Sequence, residues 1–218
     1  SAASDVYKRQ RQYYRIRDRY LHSKNEDASK TLIQELAELY LDALGFEKRN
    51  SVNIEVEDGI NVPVYHEETK VNGAPLLWAF LCVAQERGDD ILQGKIFEKS
   101  DDEDESGKSV ELINDDVLAK LFFAGDEAPR FIILFGINQI ALIDRNKWNE
   151  KRYLQFMMED IYSRHEESTF MAMVVLLHKE SLCQADGTCV LDSLDENSHK
   201  HSAGVSDALK YALRECIE

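Results

Sequence analysis

The sequence predicts an α+β (α/β) fold in which a mixed sheet is flanked by helices and followed by a helical extension. Three observations indicate this. Apolar residues recur at helical spacing in residues 32–44, alternate with polar residues in residues 52–64, and form unbroken runs in residues 74–84 and 131–135. Helices interleaved with such strands are typical of one sheet covered by helices.

The segment before Gly45 carries the clearest helical pattern. Its apolar positions repeat as one buried helix face requires: they are Leu32, Ile33, Leu36, Ala37, Tyr40 and Leu44. Asp27 or Ser29 is predicted to cap the helix, because their side-chain oxygens can accept from the free amides of the first turn. Gly45 is predicted to end it. The basic and aromatic residues 11–23 are expected to form a helix or an arm at the edge of the fold.

Two hairpins and one buried strand are predicted to build the sheet. Residues 52–56 and 60–64 alternate around an Asp-Gly turn, which is a strong sequence signal for a hairpin. The run "APLLWAFLCVA", residues 74–84, has the length of a strand buried on both faces, although its periodicity also allows a helix. "RFIILFGINQIALIDR", residues 130–145, predicts a second hairpin around its Gly-Ile-Asn-Gln turn.

Helices are predicted between and after these strands. Asn114, followed by two aspartates, is predicted to open one of them. Its inner face is predicted to carry Val117, Leu118, Leu121 and Phe122. The remainder after the second hairpin is expected to be helical, with one stripe formed by Leu154, Met157, Met158 and Ile161. Ser168 is predicted to cap an apolar helix, and Ser202 or Ser206 to cap the last one.

Composition bounds the class of protein. The formal net charge is 26 − 41 = −15, which argues against a surface that coats DNA throughout. The charge is uneven, because residues 8–19 are strongly basic whereas residues 100–109, "SDDEDESGKS", are almost wholly acidic. No apolar run approaches the ~20 residues that span a bilayer. The four scattered cysteines indicate a reducing compartment, so we expect a soluble, cytoplasmic protein with no membrane partner.

The sequence contains none of the common phosphate-binding or methyl-transfer motifs. Neither G-x-x-x-x-G-K-[ST] nor G-x-G-x-x-G occurs, and no two of the three prolines are adjacent, as an N-P-P-Y adenine pocket would require. We therefore expect these residues to bind neither nucleotide nor S-adenosylmethionine through such motifs.

The two ends of the sequence differ from its middle. Residues 1–10, "SAASDVYKRQ", resemble the translation of a sequencing adapter, so Lys8 and Arg9 are not expected to belong to the natural protein. The last residues stop within a helical pattern without a cap, and we expect the chain to be a fragment. We predict three parts: an arm (1–28), an α/β domain (29–164) and a helical linker (165–218).

A divalent-metal nuclease site is the first candidate chemistry. Such a site needs an acid at a strand end and a Glu-x-Lys triplet on the next strand, so that two carboxylates hold Mg²⁺ and the lysine orients water. Asp58 with Glu68 and Lys70 is a literal match, but this triplet lies in a polar loop and arises easily by chance in a chain that is 31% charged. The buried run at residues 74–84 has neither acid nor lysine. A solvated turn is the simpler interpretation.

The second candidate lies where the second hairpin gives way to a helix. The segment "IDRNKWNEKR" gathers four cations around one indole: Arg145, Lys147, Trp148, Lys151 and Arg152. This mixture suits contact with a phosphate backbone. Cationic side chains that only cover a buried Trp148 with their stems fit the pattern equally well.

The third candidate is the polar stretch "LDSLDENSHKHSAGV", residues 191–205. Its ionisable residues include Asp192, Asp195, Glu196, His199, Lys200 and His201. A metal site, an acid–base pair and a polar turn use the same residue types, so the spacing alone does not decide among them. His199, Lys200 and His201 would be partly cationic donors able to meet phosphate. Cys183 and Cys189 are spaced too widely for a zinc knuckle, and we predict no metal site.

Several stretches resemble the amino-terminal region of large single-chain bacterial restriction-modification proteins. They are "LGF" at residues 44–46, "GAPLLWAF", residues 133–178 and, above all, "LDENSHKHSAGVSDALKYALRECIE". Proteins of this kind, the type IIG group among them, fuse an endonuclease-like domain, an adenine-specific DNA methyltransferase and a target-recognition region. The resemblance covers residues 32–218.

The resemblance implies a restriction-endonuclease-like fold over residues 29–161 and a hydrogen-bonded connector at residues 194–201. It places S-adenosylmethionine, a base-flipping pocket and any Mg²⁺ in the parent protein, with a methyltransferase domain downstream and double-stranded DNA as the partner. Residues 80–83 depart from an active nuclease, so we expect no complete active site in this chain. An active Mg²⁺ nuclease that uses Asp58, Glu68 and Lys70 is one alternative. A non-catalytic protein-interaction scaffold is the other.

Overall fold

A computed structural model describes residues 2–57, 60–83, 90–96, 114–123, 127–165, 167–185 and 188–192, with the backbone alone for residues 2–7, 57 and 60. The helices in these ranges are α1 (Ala2–Leu21), α2 (Glu26–Ala43), α3 (Asn114–Phe123), α4 (Arg145–Trp148), α5 (Met158–Ser163), α6 (Glu167–Leu177) and α7 (Lys179–Leu182). The strands are β1 (Val52–Glu57), β2 (Ile60–Val64), β3 (His66–Thr69), β4 (Pro75–Val83), β5 (Lys95–Ile96), β6 (Phe131–Phe135), β7 (Gln139–Asp144) and β8 (Leu154–Met157).

The strands form two sheets. β1 and β2 form a small antiparallel two-stranded sheet, with an irregularity in the register between Glu55 and Glu57. The main sheet has six strands in the order β3-β4-β6-β7-β8, with β5 paired to the end of β4. β4 and β6 run parallel, and the other pairs are antiparallel. A parallel pair needs a crossover connection, and α3 lies in the one between β4 and β6. The predicted mixed sheet flanked by helices is confirmed.

β4 lies inside the main sheet and is buried on both faces, as its unbroken apolar run predicts. Leu77, Ala79 and Leu81 face a layer of helices to which α1, α2, α5 and α6 contribute. Trp78, Phe80 and Cys82 face the opposite layer, formed by the β1–β2 hairpin and α3. The fold therefore has three layers, with β4 in the middle one.

The caps of α2 explain where it begins and ends. The side-chain oxygen of Asn25 accepts from the amide of Ala28 at 2.8 Å, so Asn25 caps the helix in place of the predicted Asp27 or Ser29. Gly45 follows the helix with a φ of 83°, a left-handed conformation that suits glycine. A Cβ at Gly45 would also lie 3.0 Å from the ring of His178. The predicted apolar face of α2 is buried.

The single helical stripe predicted from Leu154 to Ile161 is wrong. Leu154–Met157 forms β8, which pairs antiparallel with β7, and α5 begins only at Met158. The spacing of apolar residues in a short segment does not show which neighbouring strand can supply hydrogen bonds. Here the pairing with β7 determines the conformation, although the apolar spacing is helical. Ser168 lies inside α6 rather than at its cap, because that helix begins at Glu167.

The helices after β8 pack on the same apolar cluster as α1 and α2. Phe170 and Met173 of α6 and Leu182 of α7 are buried in it beside Tyr13 and Tyr40. The predicted domain boundary after residue 164 stays a prediction. None of the helices within the described ranges is long and apolar enough to cross a membrane. The Asp58-Gly59 turn, residues 100–109 and the helix predicted after residue 202 lie outside the described residues.

Candidate functional site

The predicted nuclease residues are only partly described. Glu68 lies on β3 and is half-buried, Lys70 follows β3 and is exposed, and Asp58 lies outside the described residues. The backbone amide of Lys70 donates to the carbonyl oxygen of Ala74 at 2.8 Å, within the turn that joins β3 to β4. Between the two described side chains, Glu68 and Lys70, there is no ion pair. Lys70 thus occupies a position on a surface turn.

Glu68 instead joins β3 to α7. Its Oε1 accepts from His66 Nε2 at 3.0 Å and lies 3.2 Å from Lys179 Nζ. The register of the strand pair puts Glu68 beside Leu77 and His66 beside Ala79. These positions share the face of the sheet on which the helices pack, because side chains alternate along a strand.

His66 has a fixed place in this network. It is only 1% exposed, and its Nδ1 accepts from the backbone amide of Asn50 at 3.1 Å. The ring proton therefore lies on Nε2 and is donated to Glu68. Burial lowers the pKa of His66, although the Glu68 carboxylate acts to raise it. A neutral imidazole with both nitrogens engaged offers no lone pair to a metal or a substrate.

A second ionic cluster fixes the loop that precedes β1. Arg49 contacts Glu38 at 2.8 Å and Asp42 at 2.7 Å, both on α2. The hydroxyl of Tyr65 donates to Glu38. Burial, supported by the Glu38 carboxylate, raises the pKa of Tyr65. These contacts attach the β3 end of the sheet to α2, and they are structural in character.

The described carboxylates near β4 do not fit Mg²⁺. This ion takes oxygen ligands at about 2.1 Å in near-octahedral geometry. Oε1 of Glu68 is already engaged by an imidazole N–H and an ammonium group, and Oε2 of Glu67 accepts from Trp78 Nε1 at 2.7 Å. β4 itself contributes neither carboxylate nor ammonium. Among the described residues, no group of three or more His, Cys, Asp or Glu could hold a metal ion.

The predicted DNA-binding segment around α4 packs closely on the fold. The ring of Trp148 meets Phe122 of α3 edge-on, with centroids 5.5 Å apart, and is half-buried. Nη1 of Arg145 donates to the carbonyl oxygen of Ala128 at 2.8 Å. Lys147 is also half-buried. These contacts attach Trp148 and Arg145 to the fold rather than presenting them to a ligand.

The end of this segment is more open. Arg152 pairs with Glu150 at 2.8 Å, and both side chains are about half exposed. Lys151 is exposed and has a φ of 52°, a turn conformation. A phosphate would therefore compete with Glu150 for Arg152. The segment offers fewer available charges than its composition suggests.

Asp192 is the one ionisable residue of the polar stretch 191–205 that the structure describes. Its carboxylate accepts from Arg130 at 2.6 Å, although the two residues are 62 positions apart in the chain. Arg130 also contacts Asp144 at 3.2 Å. Asp192 therefore has a structural role. The others, Asp195, Glu196, His199, Lys200 and His201, lie outside the described residues.

The described cysteines are thiols of low reactivity. Burial raises the pKa of Cys82 and of Cys183 to about 12 and also raises that of Cys189. Because the thiolate is the reactive and metal-binding form, such thiols are poor nucleophiles and poor ligands. This agrees with their interpretation as small apolar residues.

Sequence reasoning missed the outer face of α1. Arg11, Arg15 and Arg19 follow one another at intervals of four residues, so they share one side of the helix, and His22 lies in the turn directly after it. All four are exposed. The basic character of residues 8–19 is visible in the sequence, but its concentration on one face needed the helical register that the structure supplies.

Comparisons with protein-family models, with curated proteins and with solved structures each found no match to this chain.

Proposed function

We propose that this chain is the nuclease-like and linker portion of a bacterial DNA restriction-modification methyltransferase, and that it binds double-stranded DNA without cutting it. The observation that carries the proposal is β4, Pro75–Val83. This strand is where the catalytic Glu-x-Lys triplet is expected, yet it is buried and contains no carboxylate or ammonium. A divalent ion therefore has no ligand there.

The order of the elements supports the nuclease-like part of the proposal. α2 precedes the β1–β2 hairpin, β3 and the buried β4, and a helical crossover then leads to the parallel strand β6. This agrees with the fold that the resemblance implies. The engagement of Glu68 by His66 and Lys179 supports the absence of cleavage, because a metal would have to displace both donors.

The parent protein would supply what these residues lack. S-adenosylmethionine and any Mg²⁺ would bind there, next to a methyltransferase domain downstream in the same chain, and the assembly would act in the cytoplasm. The described residues would then serve to position that assembly on the duplex. Backbone contacts suit this task, because they orient a protein on DNA without reading its sequence.

The purified chain is expected to bind a duplex of arbitrary sequence. For each phosphate that a cation neutralises, the slope of log K against log salt concentration becomes more negative by about 0.9. Two to four contacts therefore give a slope between about −2 and −4. Fluorescence anisotropy with a labelled duplex across a salt series measures both the affinity and the slope.

Failure to bind the duplex even at low salt would contradict the proposal and favour the protein-interaction scaffold. Binding with an affinity that does not depend on salt would also contradict it, since phosphate contacts release counterions. Two duplexes of equal length and unrelated sequence serve as the control for sequence specificity. We expect equal affinities for the two, because phosphate contacts do not read the sequence.

A further inference from the structure

We infer that the outer face of α1, defined by Arg11, Arg15 and Arg19 and continued by His22 in the turn that follows the helix, is the surface that contacts the DNA phosphate backbone. The inference rests on the proposed function and adds to it the location of the contact. All four residues follow Ser1–Gln10, the segment that resembles an adapter.

The inner face of α1 is firmly attached to the fold. Tyr13 and Ile16 are buried against the helical layer, and the Tyr13 hydroxyl donates to Asn138 at 3.0 Å. Arg17 pairs with Glu159 of α5 at 3.3 Å, where both side chains are largely buried. These contacts fix the rotation of the helix about its axis. The opposite face is therefore presented to solvent in one defined orientation.

The outer face carries positive charge that the fold does not neutralise. No ion pair or hydrogen bond to another described residue holds the guanidinium of Arg11 or of Arg15. Arg19 pairs with Glu35 at 3.1 Å, but both side chains are about half exposed, so the pair is weak and can yield to a phosphate. Asp18 is the one carboxylate that α1 places near this face among the described side chains.

The geometry of the face suits a polyanion. Arg11 and Arg15 are one helical turn apart, or about 6 Å along the axis at 1.5 Å per residue. Arg19 extends the row by one further turn, and His22 lies in the turn that follows the helix. A row of arginines at intervals of one helical turn can contact successive phosphates, and arginine can donate two hydrogen bonds to each phosphate.

The α4 segment is a weaker candidate for the same contact. In that segment Arg145 donates a hydrogen bond to the carbonyl oxygen of Ala128, and Arg152 forms an ion pair with Glu150. Arg11 and Arg15 have no such partner among the described residues.

Binding of DNA at α1 would have to overcome the repulsion from the net charge of −15. At a moderate salt concentration, protein charges more than about 10 Å from the bound phosphates are largely screened. The local basic face therefore dominates the electrostatic interaction with DNA.

The test is the double substitution Arg11→Gln and Arg15→Gln in the whole chain, with binding to a labelled mixed-sequence duplex followed across a salt series. We expect affinity near 0.1 M salt to fall roughly 10- to 100-fold and the salt slope to become shallower by about 1.8, since two phosphate contacts are removed. Circular dichroism is expected to be unchanged, because both side chains are exposed.

The matched control is Lys48→Gln with Lys120→Gln, which changes the net charge equally on other exposed surfaces. We expect this control to bind almost as the unmodified chain does. Equal losses in the two double variants, or no loss in the α1 variant, would overturn the location while leaving DNA binding itself intact. Absence of binding by the unmodified chain would overturn the proposed function as well.

Discussion

Replacing Phe80 with alanine is expected to lower the free energy of unfolding by about 3–5 kcal/mol. Phe80 is 0% exposed on the interior strand β4, and it packs edge-on against Trp78 with ring centroids 6.4 Å apart. It lies beside Leu134 of β6, in the layer covered by α3 and the β1–β2 hairpin. Truncation removes the buried ring and leaves a cavity that rigid strands on both sides cannot fill. Urea unfolding followed by circular dichroism measures the loss.

Phe123→Ala is the matched control for this substitution. Phe123 ends α3 and is 91% exposed, so the same change of side chain removes almost no buried area. We expect a change within about 0.5 kcal/mol, as for other exposed positions. If Phe80→Ala were as mild as Phe123→Ala, β4 would not be a buried interior strand, and the inference drawn from its composition would fail.

The second large effect is expected at Arg130. Its guanidinium contacts Asp144 at 3.2 Å and Asp192 at 2.6 Å, and it lies over the ring of Phe131, 4.7 Å from the centroid. Because Asp144 is only 6% exposed, Arg130→Met would leave a buried carboxylate without its cation. We expect a loss of about 2–4 kcal/mol, somewhat below the usual cost of breaking a buried pair, since Asp192 is half exposed.

Two further variants separate charge pairing from packing at Arg130. Arg152→Met removes an arginine whose partner Glu150 is exposed, and it should cost at most about 1 kcal/mol. Asp144→Asn added to Arg130→Met removes the stranded charge and keeps a side chain able to cap α4, so it should restore part of the stability. If Arg130→Met lowered the free energy of unfolding no more than Arg152→Met does, in thermal or urea unfolding, the Arg130 ion pairs would not stabilise the fold.

The fold was largely predictable because its signals are local. The alternation that predicts β1 and β2, the apolar face of α2 and the unbroken run of β4 each depend on residues close together in the chain. β8 was missed because Leu154–Met157 is short and takes its hydrogen bonds from β7. A segment of four residues has too few positions for its own periodicity to outweigh such a partner.

The sites were harder to predict because their contacts join distant segments. The sequence identifies Glu68 as a candidate ligand, but nothing near it indicates that His66 and Lys179 engage its carboxylate. In the same way, the sequence allows Asp192 to be a metal ligand, whereas in the structure its carboxylate accepts from Arg130. The basic face of α1 depends on residues 11–21 being helical, whereas the sequence left residues 11–23 open between a helix and an arm.

The most direct test of DNA binding without cleavage is incubation of supercoiled plasmid with the purified chain and Mg²⁺, at protein concentrations that saturate binding. Gel electrophoresis after removal of the protein reports nicked and linear products. The composition of β4 and the engagement of Glu68 predict that the bound plasmid remains supercoiled. Conversion to nicked or linear DNA by the unmodified chain, and its loss in Glu68→Gln, would contradict this and establish a nuclease.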